Sequence, residues 1–192
     1  TIVAALTGIS APRRYVLTVS FDWRRPGEPT NRFAVNGWKF WAYPPADDDS
    51  KHSDLLITRS WPNAEAKLAA GGKVLFLPRA ADLDWSCPPL DSVPVFWNRL
   101  MNPQWGRMLG LWCDRWHPAL AEFPTRTYCD WQWTQITKGT RAVNIGKLPR
   151  ELKPIVAAID DWNLNWKLAP IFEVKVGKGK LIVCSFDITT RL

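Results

Sequence analysis

Residues 54–78 carry the pattern that most restricts the fold of this chain. The apolar run LLI at 55–57 predicts a short buried strand, and KVLFL at 73–77 predicts a second one. The stretch 61–70 between them predicts a helix. A strand, a helix and a strand in this order indicate a βαβ unit, in which the two strands are parallel.

Both ends of the predicted helix carry residues with suitable backbone preferences. Ser60 stands in the N-cap position, Pro62 lies in the first turn, and Gly71-Gly72 provides a C-terminal stop. Ligands of parallel sheets bind beyond the carboxyl ends of the strands. In this chain those ends carry Thr58-Arg59-Ser60 and Pro78-Arg79.

The N-terminal 45 residues also predict β-structure. YVLTVSF at 15–21 is rich in β-branched and aromatic residues, which favour a strand. FAVNGWKFWAY at 33–43 predicts one or two strands, with Asn36-Gly37 as a turn or a bulge. PPADDDSKHS at 44–53 has the composition of a linker.

The C-terminal third predicts more strands. Residues 155–159 indicate a buried strand or a helix turn, and residues 171–176 and 181–186 indicate two strands. The two strands are joined by Gly177-Lys178-Gly179, which is typical of a hairpin loop whose glycines adopt positive φ.

The charge of the chain bears on its partners. Lys and Arg total 25 against 18 Asp and Glu, a net charge of +7, which favours nucleic acid, anionic lipid or uronate-bearing polysaccharide. The basic residues are scattered, which is also typical of a solubilising surface. We find no helix-turn-helix, zinc-finger or RNA-binding signature, so no nucleic acid partner is predicted. No apolar run reaches membrane-spanning length, so no membrane span is expected.

The four cysteines, Cys87, Cys113, Cys129 and Cys184, have no spacing typical of a zinc site. No metal and no cofactor are therefore predicted. One or two disulfides could form in an oxidising compartment, whereas Cys184 lies in an apolar strand and is expected to be a buried free thiol. The chain has no initiator Met and no signal peptide, and we expect it to be part of a longer protein.

Thirteen tryptophans are far more than usual, and they either fill a core or serve a surface. In DWQW at 130–133, an extended backbone would place Trp131 and Trp133 on one face and Asp130 with Gln132 on the other. Aromatic faces stack on sugar rings, while nearby polar groups bond the hydroxyls. The candidate glycan-binding residues are Trp97, Asn98, Trp105, Trp112, Trp116, His117, Asp130, Trp131, Trp133 and Trp162.

Catalysis has weaker support, and no catalytic residue is assigned. Cys113, His117 and Glu122 could form a nucleophilic set, but the small residues of a nucleophile elbow are missing around Cys113. The adjacent Asp160 and Asp161 would point to opposite faces of a strand, so they would not act as a glycosidase pair. For His117 the leading interpretation is structural, as a cap of a short helix that starts at His117-Pro118.

Several ordered motifs together resemble the C-terminal region of bacterial glycoside hydrolase family 2, the β-galactosidase-like proteins. They are YVLTVSF, NGWKFWAYP, LLITRSW, LAAGGKVLFLP, VPVFWNRLMNP (93–103), LGLWCDRWHPALAEFPT (109–125), DWQW and the stretch 148–188. The resemblance covers nearly the whole chain. The tryptophans at 105, 112 and 116 depart from it, either as an added binding surface or as local packing.

This resemblance implies an α/β fold, flavodoxin-like or amidotransferase-like, with a mostly parallel sheet preceded by the terminal strands of a β-sandwich. It divides the chain into a β-strand segment at 1–45, a linker at 46–53 and the α/β domain at 54–192. It also implies a non-catalytic accessory module of a secreted or periplasmic enzyme, whose catalytic domain lies upstream in the same polypeptide.

The expected function is therefore carbohydrate binding through tryptophan-rich loops, with a polysaccharide or oligosaccharide as partner, acidic ones included. Two alternatives stay open. One is a structural domain that packs on the catalytic domain or supports a dimer, with tryptophans as interface anchors. The other is a glycosidase activity of the chain itself.

Overall fold

The computed structural model describes residues 8–23, 26–27, 31–44, 54–91 and 108–189. The chain separates into two compact units, Thr1–Ala46 with Glu122–Pro124 and Asp47–Ala121 with Thr125–Leu192. The predicted linker at 46–53 lies outside the described residues, so the predicted domain boundaries stay a prediction.

The first unit contains an antiparallel pair of strands, β1 (Arg13–Trp23) and β2 (Asn31–Ala42). Strands were expected in both places. The Asn36-Gly37 step forms neither a turn nor a bulge, because β2 continues through it and Gly37 pairs with Thr18. The register shift lies instead between Phe21 and Asp22. The described residues of this unit form one two-stranded sheet and no second sheet packed as in a sandwich.

One face of this hairpin is apolar. Alternation places Tyr15, Leu17, Val19 and Phe21 on the same side of β1, and the register puts Trp38 opposite Leu17. Of these, Leu17, Val19, Phe21 and Trp38 are exposed. At the end of β2, a short chain segment covers two other rings: Trp41 Nε1 donates to the Pro124 carbonyl over 3.2 Å, and Tyr43 stacks on Phe123.

The second unit is built on a seven-stranded sheet with two α-helices among its described residues. The described residues of this unit also form two short 3-10 helices, Ala80–Asp82 and Pro118–Leu120. In chain order the elements are β3 (Leu55–Thr58), α1 (Trp61–Ala69), β4 (Lys73–Phe76), β5 (Gly110–Cys113), α2 (Trp133–Thr137), β6 (Val143–Asn144), β7 (Pro154–Ile159), β8 (Leu168–Val176) and β9 (Gly179–Cys184).

The predicted βαβ unit is confirmed, but the predicted fold class is wrong. The strand order is β3-β4-β9-β8-β7-β5, with β6 beside β8. The β3–β4 and β4–β9 pairs are parallel, whereas the β9–β8, β8–β7, β7–β5 and β6–β8 pairs are antiparallel. The sheet is mixed, and 40% of the described residues lie in strands and 13% in helices. It is therefore not the mostly parallel sheet of a flavodoxin-like or amidotransferase-like α/β domain.

The physical reason lies in the connections. Parallel strands need a crossover that is usually a helix, and α1 is the one helix of that length in the described residues. The predicted C-terminal hairpin is confirmed, because β8 and β9 are antiparallel and joined at 177–178. The segment at 155–159 is a strand and not a helix turn.

Helix α1 covers the parallel part of the sheet. Its buried residues Ala64 and Leu68 pack with Val74 and Val183 in the main apolar cluster. Its C-terminal end forms a Schellman motif, in which the Gly71 N–H donates to Leu68 O and the Gly72 N–H donates to Lys67 O. Gly71 has φ +81°, as this motif requires. Ser60 occupies the N-cap position without a side-chain capping bond.

The two glycines of the β8–β9 loop serve different purposes. Gly177 has φ +57°, as expected of a tight hairpin turn. Gly179 is needed for space, because a Cβ atom there would lie 2.8 Å from the carbonyl oxygen of Leu68. The prediction of positive φ is therefore confirmed for Gly177. At position 179 glycine is required because the backbone of α1 lies close to it.

Candidate functional site

The outer edge of the sheet carries two aromatic residues side by side. Trp112 on the edge strand β5 pairs with Tyr128 in an antiparallel bridge. The Cys113 N–H donates to Thr127 O over 3.0 Å, and the Cys129 N–H donates to Leu111 O over 3.2 Å. These bonds flank the bridge, so Trp112 and Tyr128 form a non-hydrogen-bonded pair, the arrangement that brings opposite side chains closest together.

The alternation of β5 explains why this pair faces outward. Leu111 and Cys113 point into the core and are fully buried. Trp112 between them therefore points to the other face, where 45% of it is exposed, and Tyr128 opposite it is 53% exposed. The strand pairing thus places the two side chains opposite each other on one face of the sheet, where each stays about half exposed.

A guanidinium contacts Tyr128, and a carboxylate lies within electrostatic range of this guanidinium. Arg126 Nη1 donates to Tyr128 Oη over 2.6 Å, and the guanidinium carbon lies 5.7 Å from the centre of the Tyr128 ring. This hydrogen bond raises the pKa of the Arg126 guanidinium, and the negative charge of Asp130 adds a smaller contribution in the same direction. We call Trp112, Arg126, Tyr128 and Asp130 the aromatic platform.

The platform combines two predicted residues with two that were not predicted. Trp112 and Asp130 were among the candidates, whereas Tyr128 and Arg126 were not. The signal that was missed is the occurrence of Arg126, Tyr128 and Asp130 at every second position, because an extended chain would place their side chains on one face.

Three other predicted tryptophans are also exposed. Trp116 lies under the guanidinium of Arg115, which is 4.1 Å from the ring centre. Trp131 is 76% exposed, and more than half of Trp162 is exposed. Trp97, Asn98 and Trp105 lie outside the described residues.

Trp133 corrects the prediction that DWQW is a strand with both tryptophans on one face. Gln132 has helical backbone angles and Trp133 is the first residue of α2. Trp133 is only 2% exposed, donates from Nε1 to Thr125 Oγ1 over 3.0 Å and packs against Phe186. Its indole belongs to the core and is not accessible to a sugar.

His117 has the structural role that was the leading interpretation. Its Nδ1 accepts a hydrogen bond from the Ala119 N–H over 3.2 Å, which caps the 3-10 helix Pro118–Leu120. Because Nδ1 is the acceptor, the proton of the neutral ring is on Nε2, which faces Glu173 Oε2 at 3.4 Å. Both ring nitrogens are therefore occupied within the domain.

The groups considered for catalysis are held in structural positions. Burial raises the pKa of the Cys113 thiol to about 12, so the nucleophilic thiolate is scarce at neutral pH. Cys184 is a buried free thiol, as predicted. Asp160 Oδ2 accepts from the Trp166 N–H and Asp161 Oδ1 from the Asn163 N–H. These two carboxylates organise the 161–166 loop.

Within the described ranges, His, Cys, Asp and Glu side chains form no cluster of three or more that could hold a metal ion.

Comparison with other proteins gives a family and no function. None of the helices in the described part of the chain has the length and apolar character needed to cross a membrane. A search of curated proteins gave no match. A family model described as a domain of unknown function, DUF8487, matches residues 56–192. This match covers well over half of the chain, and the protein therefore belongs to the DUF8487 family.

Proposed function

We propose that this domain is a non-catalytic carbohydrate-binding module and that the aromatic platform is its binding surface. The observation that carries the proposal is the exposed, backbone-fixed pair of Trp112 and Tyr128. Because hydrogen bonds already fix the backbone that carries the two side chains, this backbone loses little conformational entropy when a ligand binds.

The chemistry of the platform fits a sugar. Aromatic rings provide flat apolar surface for the C–H face of a pyranose, and the polar groups beside them provide hydrogen bonds. Arg126 donates to hydroxyl oxygens, Asp130 accepts from hydroxyl protons, and the Tyr128 hydroxyl, which accepts from Arg126, keeps its own proton to donate. The guanidinium also favours a uronate over a neutral sugar.

The wider setting is part of the same proposal. The resemblance to glycoside hydrolase family 2 suggests an accessory module of a secreted or periplasmic enzyme, with the catalytic domain elsewhere in the polypeptide. The module would then hold the enzyme on a polysaccharide while another domain performs the hydrolysis.

Isothermal titration calorimetry against neutral and uronate-containing polysaccharides tests the proposal. We expect saturable binding that Trp112→Ala and Tyr128→Ala each weaken about tenfold, because one aromatic contact contributes roughly 1–1.5 kcal/mol. Trp85→Ala is the matched control, since Trp85 is an exposed tryptophan outside the platform. Absence of binding to every polysaccharide, or equal weakening by Trp85→Ala, would contradict the proposal.

A second candidate function is an interface with another copy of the chain. It is favoured by the apolar face of the β1–β2 hairpin, on which Leu17, Val19, Phe21 and Trp38 are exposed. A two-stranded hairpin is marginally stable alone in water, and exposed apolar faces of this kind mark interaction sites. Packing the same face of a second copy against it would bury both faces.

Sedimentation equilibrium distinguishes this candidate. A dimer interface on the hairpin predicts a concentration-dependent dimer that Trp38→Lys converts to monomer, while Trp116→Lys, on an exposed tryptophan elsewhere, leaves the dimer intact. A monomer at all accessible concentrations rules the interface out.

A further inference from the structure

A second concave site lies at the carboxyl ends of the three parallel strands. β3, β4 and β9 run in the same direction and end at the same edge of the sheet. The residues that follow these strands surround a cavity of about 240 Å³. We call it the arginine cleft and define it by Arg59, Arg79, Thr140, Ser185, Phe186 and Asp187. Open sheets with parallel strands bind ligands at this edge.

Arg59 follows β3 and is held in place at the rim. Its Nη2 donates to Thr189 Oγ1 over 2.6 Å and lies 3.7 Å from Asp187 Oδ1. Thr189 Oγ1 in turn donates to Asp187 over 3.3 Å. A guanidinium has five N–H donors, so this arrangement orients Arg59 and still leaves it donors for a ligand.

Arg79 follows β4 and is fixed from the outside. Its Nε lies 3.5 Å from Asp82 Oδ2, which also accepts a hydrogen bond from the Arg79 backbone N–H. This contact holds the Nε side of the guanidinium. The terminal amino groups are the part that a ligand in the cleft can use.

The floor of the cleft supplies acceptors and an apolar surface. The Thr140 hydroxyl donates to Thr137 O over 2.6 Å and the Ser185 hydroxyl donates to Pro170 O over 3.3 Å. Because both hydroxyl protons are used inside the protein, their oxygens can serve a ligand only as acceptors. Phe186 beside them is buried and fixed by Trp133.

The cleft therefore presents both hydrogen-bond donors and hydrogen-bond acceptors to a ligand. The donors are the two guanidinium groups, and the acceptors are Asp187 and the two hydroxyl oxygens. Each guanidinium already faces one carboxylate, Arg59 that of Asp187 and Arg79 that of Asp82. A ligand carboxylate would therefore bind through the guanidinium N–H donors that these contacts leave. A volume of about 240 Å³ suits a ligand below drug size.

We propose that the arginine cleft binds a small hydroxycarboxylate, such as a monomeric sugar acid. Its carboxylate pairs with Arg59 and Arg79, and its hydroxyl protons are donated to Asp187, Thr140 and Ser185. The site does not depend on the aromatic platform, because β8 and β7 lie between β9 and β5 in the sheet.

Calorimetric titration at low ionic strength with four probes tests this assignment. Glucuronate carries both hydroxyls and a carboxylate, glucose carries only hydroxyls, acetate carries only a carboxylate, and inorganic phosphate is a different oxyanion. We expect glucuronate to bind, to bind more weakly as salt is added, and to bind at least tenfold more tightly than the other three.

Four variants show where glucuronate binds. Arg79→Gln, at an exposed position that tolerates substitution, and Arg59→Gln should each weaken glucuronate binding about 10-fold to 100-fold. Lys175→Gln removes the same charge at the opposite end of β8–β9 and should have no effect. Trp112→Ala should leave glucuronate binding unchanged, and Arg79→Gln should leave polysaccharide binding unchanged. The proposal for the arginine cleft and the proposal for the aromatic platform can therefore be contradicted independently.

The proposal is overturned by no binding of glucuronate, by phosphate binding as tightly as glucuronate, or by Arg79→Gln having no more effect than Lys175→Gln. Equal binding of acetate and glucuronate would also overturn it, because the acceptors would then have no part in recognition.

Discussion

A Cβ atom on Gly179 would lie 2.8 Å from the carbonyl oxygen of Leu68, so the start of β9 touches the last turn of α1 backbone to backbone. We expect Gly179→Ala to lower the free energy of unfolding by about 1–3 kcal/mol, because the added methyl group must push two backbone segments apart. Urea unfolding measures this loss. Gly177→Asn is the control, since its positive φ suits Asn and no atom lies within 4 Å of the added Cβ. Equal losses in the two variants would contradict the close-contact explanation.

Trp131 and Trp133 stand two residues apart and should respond very differently to substitution. Trp133→Ala removes a buried indole and its hydrogen bond to Thr125, and we expect a loss of about 3–5 kcal/mol in unfolding free energy. Trp131→Ala removes a mostly exposed ring, and the change should stay within about 0.5 kcal/mol. Thermal unfolding of the two variants checks the difference. Similar losses would mean that the chain at 130–133 is not arranged as described.

The stability of the domain should fall in alkaline solution because of its buried thiols. Burial raises the pKa of Cys184 to about 12, from an ordinary value of 9.0. Above pH 9 the thiol ionises in the unfolded chain and stays protonated in the folded one, so rising pH favours unfolding. This one group contributes about 1.4 kcal/mol per pH unit between those two pKa values.

Urea unfolding of the wild type and of Cys184→Ala at pH 8, 9 and 10 isolates this contribution. The variant is expected to start from a lower stability, but to lose less of it per pH unit than the wild type does. Identical slopes would show that Cys184 is ionised as easily in the folded protein as in the unfolded chain.

His117 should contribute to the stability of the domain and not to its affinity for glycan. His117→Ala removes the acceptor for the Ala119 N–H, and we expect a loss of about 1 kcal/mol. His117→Asn should restore much of it, because the amide oxygen of Asn can also cap a helix. Calorimetric titration with the polysaccharide that the wild type binds should give the same affinity in both variants. A large loss of glycan affinity in His117→Ala would contradict a purely structural role for His117.

Local signals in the sequence were sufficient for the βαβ unit and the C-terminal hairpin. Ser60, Pro62 and Gly71-Gly72 define one helix, and Gly177 with Gly179 defines one hairpin. The class of the sheet could not be found in this way, because it depends on which distant strands pair. Lys73 pairs with Lys180, and no local pattern indicates a partner more than 100 residues away. The predicted parallel fold is wrong because a single βαβ unit does not determine the direction of the other strands in the sheet.

The aromatic platform shows the same limit of sequence-based prediction on a smaller scale. Trp131 and Trp133 share a face only if the chain is extended, and the helical angles of Gln132 turn them apart. Trp112 and Tyr128 are sixteen positions apart and meet only through the hydrogen bonds of Cys113 and Cys129. Residue type and spacing could therefore single out individual aromatic residues, but only the strand pairing shows which of them lie opposite each other.

The mixed sheet also has a consequence for the order in which this domain folds. β9 is antiparallel to its sequence neighbour β8 and parallel to the distant β4. Closing a two-residue turn costs far less chain entropy than closing a loop of about 100 residues, so we expect the β8–β9 hairpin to form first. The free edge of β9 then serves as a template on which the β3–α1–β4 unit docks. We therefore expect the pairing of β4 with β9 to be the slow step of folding. The β3–α1–β4 unit and the β8–β9 hairpin each form through local contacts, whereas β4 and β9 are far apart in the sequence.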